Sequence, residues 1–330
     1  MQRLFVLLVA CVISAVPANA QTARGSLQSE LAETFGYYKS QTLSLDRIKQ
    51  EFPALAPDAM RAQIAFDRVF KGAVENIDRE IQQMFGAGWS EAAGRLENAL
   101  SKSVRSSKLD NASAKSFIQA VNAHAKGDME SPVLQTLLSR VPEFRENPQA
   151  EFTRGYTAIY RSHDHTKAKG VDFQIQYPQS WVAKEGVRPN VVQLITSENG
   201  RGLDNIILMV RDTQLPPNYK VSAAEVEDLF SESGLKSMLP GQASFVSSQR
   251  VTLDSQKGGM VIYDMEVERV ALNGHMRTIS FFTLYKNKLI IIQGSTFSTR
   301  RDQAALTDRF KKLQPLFMLV ANSFVLQSQY

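Results

Sequence analysis

Apolar residues recur along this chain at two different periods, and the change of period divides it. Up to about residue 142, and again after about residue 300, they return every three or four positions; over most of 171–297 they alternate with polar residues or run together. The first spacing keeps apolar side chains on one face of a helix, and the second belongs to strands.

Leu27 to Phe52 reads as one or two helices ending at Pro53. Asp58, with Pro57 before it, caps a longer helix that reaches about Phe85, with Met60, Ile64, Phe70, Val74, Ile77, Ile81 and Met84 as its apolar stripe. Gly86 and Gly88 stop it. Ala93, Leu96, Leu100 and Val104 predict the next helix, and Ala114, Phe117, Ile118 and Val121, after a Ser113 cap, another. Val133, Leu134, Leu137, Leu138 and Val141 make a short last one behind Pro132. Several amphipathic helices on short connections predict a small bundle, either a docking platform or a plain stabilising unit.

Val171 to Asp212 predicts the first three strands of a sheet. Phe173, Ile175 and Tyr177 alternate with polar neighbours, and Pro178 ends that strand because it has no amide to donate. Val191–Thr196 is a second strand, followed by a turn over 197–202 that carries Asn199, Gly200 and Gly202. Ile206–Val210 is continuously apolar, which predicts a central strand with helices on both faces. Tyr156–Arg161 reads as an edge strand. Ser222 and Glu225 form a capping box before Val226, Leu229 and Phe230. Strands follow at 244–254, 259–270, 275–286 and 288–297, joined by tight turns at Lys257-Gly258-Gly259, Leu272-Asn273-Gly274 and Lys286-Asn287-Lys288. This is an antiparallel meander. A closing helix from about Arg300 carries Leu306, Phe310, Leu313, Phe317, Val320 and Phe324 at steps of four and three, with Pro315 expected to kink or restart it.

The succession FQIQYPQSW, a gap, VVQLIT, a glycine turn and NIILMV resembles the start of the PsbP-like (Mog-type) family, over residues 152 to 330. The resemblance implies a three-layer α/β/α sandwich with an antiparallel sheet. It also implies an assembly factor, extrinsic subunit or chaperone-like adaptor rather than an enzyme, and it brings no catalytic residues. The expected class is therefore α+β: a helical domain over residues 21–150, then the sandwich over 151–330, with Gly127, Pro142 and Pro148 marking the transition.

Residues 1–20 change the picture of where the chain works. Arg3, the apolar run Leu4–Val16 and Pro17-Ala18-Asn19-Ala20 read as a signal peptide cleaved before Gln21, too short to span a membrane. The only cysteine, Cys11, lies inside it. Leu8-Val9-Ala10-Cys11 resembles a lipobox, but cleavage there would leave a very short apolar region, so lipid anchoring is not expected. The mature chain then has no disulfide and depends on packing alone. The formal charge of +5 falls to +4 without Arg3, enough for weak attraction to anionic envelope surfaces. It is far from the dense basic stripe of a nucleic-acid binder, and nothing implies a transmembrane segment or a cofactor.

Chemistry is sparse. The sequence has no H-E-x-x-H, G-x-S-x-G or Walker loop, and Gly200-x-Gly202 is a turn rather than a dinucleotide fingerprint. The histidines are His124, near a helix end; His275, expected to be exposed; and His163-Asp164-His165. On a strand His163 and His165 would point the same way and reach one metal, though no third ligand is visible nearby. Lys167 and Lys169 make that loop basic. Arg300, Arg301, Arg309, Lys311 and Lys312 give the last helix a basic outer face, fit for an anionic partner or simply solvated. Trp181 is a core lid or, beside Arg188 and Tyr177, the wall of a cleft. Carboxylate pairs for a hydrolase exist in any chain with 33 acidic residues.

The reading that follows is an exported, non-catalytic, protein-binding or chaperone-like module of the cell envelope. Behind it stand a small-ligand or metal-binding protein using Trp181 or the histidine loop, then a hydrolase. The possible binding surface is Trp181, Arg188, Lys311 and Lys312. N-terminal sequencing of the exported protein should begin at Gln21; a chain beginning at Met1, or lipid on Cys11, contradicts the export reading.

Overall fold

The computed structural model of the protein describes residues 23–129, 132–213, 215–216, 219–269, 272–299 and 302–329. The proposed leader with Arg3 and Cys11 lies outside them, as do Arg300 and Arg301. The described chain forms two compact units, divided between Arg145 and Glu146.

In the first unit α1 (Ala23–Glu51) is one helix, followed by a 3-10 turn at Pro53–Leu55 and by α2 (Ala56–Phe85). Here the sequence reading needs correction. Asp58 lies within the first turn of α2 and does not cap it, since Pro57, with no amide to satisfy, fits inside that turn. The buried face is Ala59, Ala62, Phe66, Phe70, Ala73, Val74, Ile77 and Ile81. Met60, Ile64 and Met84 are 54%, 60% and 40% exposed, because small alanines, not the large residues beside them, occupy the close-packed side. Gly86 caps α2, and α3 (Gly88–Ser106) buries Leu100, Val104 and Trp89, whose Nε1 donates to Asp78 at 2.7 Å. The next helix, α4 (Asn111–His124), starts one turn before the expected Ser113. Asp110 accepts from the Ser113 amide, and Ser113 accepts from the Asp110 amide. His124 turns inward, with Nδ1 2.7 Å from the Tyr37 hydroxyl, and burial lowers its pKa. Two short helices, α5 (Val133–Leu138) and α6 (Pro142–Glu146), close the unit.

The second unit opens with α7 (Gln149–Thr153) and contains two antiparallel sheets. β1 (Thr157–Arg161), β2 (Phe173–Pro178) and the two-residue β10 (Val325–Leu326) form the smaller one, with β2 central. The larger has the order β3-β4-β5-β9-β8-β7-β6, with β3 (Val182–Glu185), β4 (Val191–Thr196), β5 (Asn205–Asp212), β6 (Ser244–Leu253), β7 (Gln256–Arg269), β8 (Leu272–Tyr285) and β9 (Lys288–Ser298). Val171 to Asp212 is thus not the start of one sheet. Pro178 ends β2, the chain turns through a buried Trp181, and β3, which shows no sequence alternation, begins the second sheet.

Alternation along the strands builds three layers. Ile290 and Ile292 of β9 face Phe310, Phe317 and Val320 of α10 (Gln303–Asn322), with Phe173 and Ile175 of the small sheet. Ile291, between them, faces Phe230 and Leu235, at α8 (Ala223–Leu229) and α9 (Glu232–Ser237). The central β5 behaves the same way, except that Ile207 is only half-buried. Ser222 and Glu225 form the expected capping box.

The hairpins correct two further expectations. The β6–β7 turn is Asp254-Ser255, both with positive φ, and the β8–β9 turn is Lys286-Asn287, likewise positive, as a type I′ turn requires. Gly258 and Gly259 lie inside β7, where a side chain on Gly259 would collide with Leu235 of α9. Across the next hairpin Arg269 pairs with Leu272, so Asn273 and Gly274 lie inside β8. The turn over 197–202 is left-handed at Glu198, Asn199 and Gly200.

The last helix, α10, begins after Asp302, which accepts from the amides of Ala304 and Ala305 at 3.0 Å. It runs through Pro315 without the restart that was one of the two expectations. Proline removes one helical bond, and Phe310 and Leu313 before it, with Leu316, Phe317 and Val320 after it, are all buried. Gly294 of β9 leaves room for the Phe317 ring.

Phe310 is 3% exposed. Phe310→Ala should cost about 3–5 kcal/mol, a large part of a typical stability of about 5–15 kcal/mol. Lys311→Ala and Lys312→Ala should change stability by less than about 1 kcal/mol, because both side chains are solvated. Urea unfolding of the three variants checks this; a silent Phe310→Ala beside unfolded lysine variants would reverse the orientation of α10.

Candidate functional site

The histidine loop joins β1 to β2 and is pinned by Ser162, whose buried hydroxyl donates to the Val171 carbonyl at 2.9 Å. His163 and His165 do not lie on a strand. Asp164 between them has a positive φ, and each imidazole is engaged differently. His163 Nδ1 is 3.1 Å from Asp172 and Nε2 is 3.2 Å from Asp164, and the Asp172 hydrogen bond raises its pKa. His165 Nδ1 accepts from the Lys167 amide at 3.3 Å. Among the described residues no group of three or more His, Cys, Asp or Glu is placed to hold a metal.

The same loop ties several distant segments together. Lys167 bonds to the Gly186 carbonyl and to Glu185 at 2.7 Å, and Lys169 reaches Asp212 at 2.5 Å. Lys288 shares Asp212, and the hydrogen bonds from the two lysines hold its pKa down at about 2. The cations that made this loop look basic are therefore matched. Arg188 is exposed on the neighbouring loop, beside a fully exposed Val187.

Trp181 does not line an open cleft. It is 6% exposed and packs edge-on against Phe317, with ring centres 6.5 Å apart. The basic outer face expected on α10 is also largely matched. Arg309 pairs with the buried Asp204 at 2.5 Å, Lys312 with Glu146 at 2.7 Å, and Lys311 lies 4.0 Å from Asp308. Trp181, Arg188, Lys311 and Lys312 are thus spread over core, loop and helix and do not converge on one site.

Glu151 of α7 carried no sequence signal. It is 4% exposed, and its carboxylate accepts from the Ser180 amide and the Ser180 hydroxyl, both at 2.7 Å, fixing the turn that leads into Trp181. Burial raises its pKa to about 7.

A different surface combines a recess with an open edge. Among the described residues β6 is the last strand of the large sheet, and one side of its backbone has no strand partner there. Its ten residues carry one charge, Arg250, and no proline, whereas β3 at the opposite edge is four residues long and carries Lys184 and Glu185. The bulge that disturbs β6 is confined to its start, between Phe245 and Ser247. Beside it a cleft of about 270 Å³ lies between α8 and the β6–β7 hairpin, lined by Val226, Phe230, Val251 and Gly258 among others. On its rim Glu227 pairs with Arg250 at 2.6 Å and with Lys257 at 2.7 Å. Those contacts, Lys257 first, lower the Glu227 pKa. The nearly uncharged SFVSSQRVTL was the available sequence signal.

No family model matches the sequence, and no curated protein matches it. Among solved structures, the solution structure of cyanobacterial PsbP (CyanoP) from Synechocystis sp. PCC 6803 is similar over 52% of this chain and 92% of its own, at 19% identity and a TM-score of 0.34. The crystal structure of LpqN, involved in cell envelope biogenesis of Mycobacterium tuberculosis, is similar over 53% and 95%, at 10% identity and a TM-score of 0.31. The first of these comes from the family that the C-terminal strand layout resembles.

Glu151 makes stability depend on pH with a definite sign. Its folded pKa of about 7 lies above the ordinary 4.5, so the folded chain binds the extra proton between those values. Stability is then lost as pH rises from 4.5 through 7, by on the order of 3 kcal/mol at about 1.4 kcal/mol per unit. His124, with a lowered pKa, acts in the opposite sense below its ordinary 6.5. The comparison of wild type with Glu151→Gln isolates Glu151, because the carboxamide can keep both contacts to Ser180. Urea unfolding at pH 5.5 and 8 should show a clearly smaller loss for the variant; equal losses would mean that Glu151 does not titrate in this range.

Proposed function

We propose that the protein is a non-catalytic binding module of the cell envelope that captures a protein partner in the groove between α8 and β6. The observation that carries this reading is the cleft beside a ten-residue edge strand with a single charged side chain. Natural sheets usually protect such edges with charges, proline or a covering element. The leader pattern of residues 1–20 supports work outside the cytoplasm. Among the described residues no helix is long and apolar enough to cross a membrane.

Attraction to an anionic surface through α10 is less well supported, because Arg309 and Lys312 are already paired. A ligand cleft walled by Trp181 loses its wall to the core.

A photo-crosslinking amino acid placed at Thr252, at Lys311 or at Val187, all exposed, separates these surfaces in intact cells. The Thr252 position should give a discrete protein adduct and the other two should not. Adducts only at 187 or 311 would move the binding surface away from the groove.

A further inference from the structure

We infer that the groove recognises an extended polypeptide segment by strand addition, with one apolar side chain of that segment seated in the cleft and an acidic residue beside it. This rests on the partner-binding reading above and names how the partner is held. An added strand would lie about 4.8 Å from β6 and bond to its outward amides and carbonyls. Alternate side chains of that strand would then project on the same side of the sheet as α8.

The cleft is suited to one side chain. At about 270 Å³ it falls below the roughly 300–1,000 Å³ of sites that enclose a whole small molecule. Its apolar surfaces are Val226 and Phe230, from α8 and its C-terminal end. In the register Val251 pairs with Gly258 and Arg250 with Gly259, and of the two glycines only Gly259 lies on the face toward α9. Leu235 occupies the place above Gly259, while Gly258 lines the cleft.

The rim sets the charge of the partner. One carboxylate, Glu227, is shared by Arg250 and Lys257, which leaves a net positive charge at the mouth. Both basic side chains are 64% exposed, so an incoming carboxylate can reach them. The same rim disfavours a second copy of this chain, since pairing β6 with β6 would bring two net-positive mouths together.

A phage-displayed library of random linear peptides, selected in parallel on the full exported chain and on an Arg250→Glu, Lys257→Glu double variant, tests the inference. Both side chains are solvated, and matching melting curves would confirm that the variant folds. Wild type should enrich peptides with an apolar residue next to Asp or Glu, and these should bind the variant roughly tenfold or more weakly. N-methylation of the best peptide should abolish binding at alternate positions and be tolerated between them, because an added strand donates from every second amide. Enriched peptides that bind both proteins equally, or that tolerate methylation throughout, would overturn strand addition. So would a wild-type dimer in light scattering that the double variant abolishes, which would make the occupant a second copy. If the library enriches nothing while Thr252 still forms its adduct in cells, the partner-binding reading stands and strand addition falls. Adducts only at other positions remove the groove from both.

Discussion

An open antiparallel sheet can cover both faces but cannot cover its edges, and that constraint governs the C-terminal unit. Ile290, Ile291 and Ile292 of β9 need apolar cover above and below. The small sheet with α10 supplies one layer, and α8 with α9 the other. The edges are treated differently. β3 is short and charged, whereas β6 is long and nearly uncharged. α9 approaches the sheet over Gly259, and a recess lies between α8 and the unprotected edge. The groove is thus a consequence of how the face is covered.

Charge matching explains why the more conspicuous sequence features do not form a site. Lysines in the histidine loop meet Glu185 and Asp212, and those of α10 meet Asp308 and Glu146. Such surface pairs add little stability, but they leave little free charge for a partner. Glu151 is a different case, a buried carboxylate held by three donors from Gln179 and Ser180. It ties the short helix α7 to the turn that seats Trp181, so protonation and packing are linked at that point.

Much of the fold was legible where periodicity was strong. The stripe of α10 is buried at every position named, and the four-strand meander is present. Large side chains misled in α2, where Ala59 and Ala62 take the packed side and Met60 and Ile64 face water. Glycine misled in the hairpins. Gly258, Gly259 and Gly274 were read as turns, but they serve close approach within strands, and Asp254-Ser255 makes one of the turns instead. The site was less legible than the fold. A groove arises from a strand edge, a hairpin and a helix contributed by separate segments, and no local spacing reports that combination. Trp181 drew notice for its size, and its size is what places it in the core.

The central claim is that β6 is an open edge in the free protein. Residue-resolved amide hydrogen exchange tests it without any partner. Between Ser247 and Leu253, where pairing with β7 is regular, every second amide of β6 should exchange far faster than its neighbours and faster than the amides of β8. Uniform slow exchange along β6 would mean that its outer side is already covered, and the groove account would be wrong.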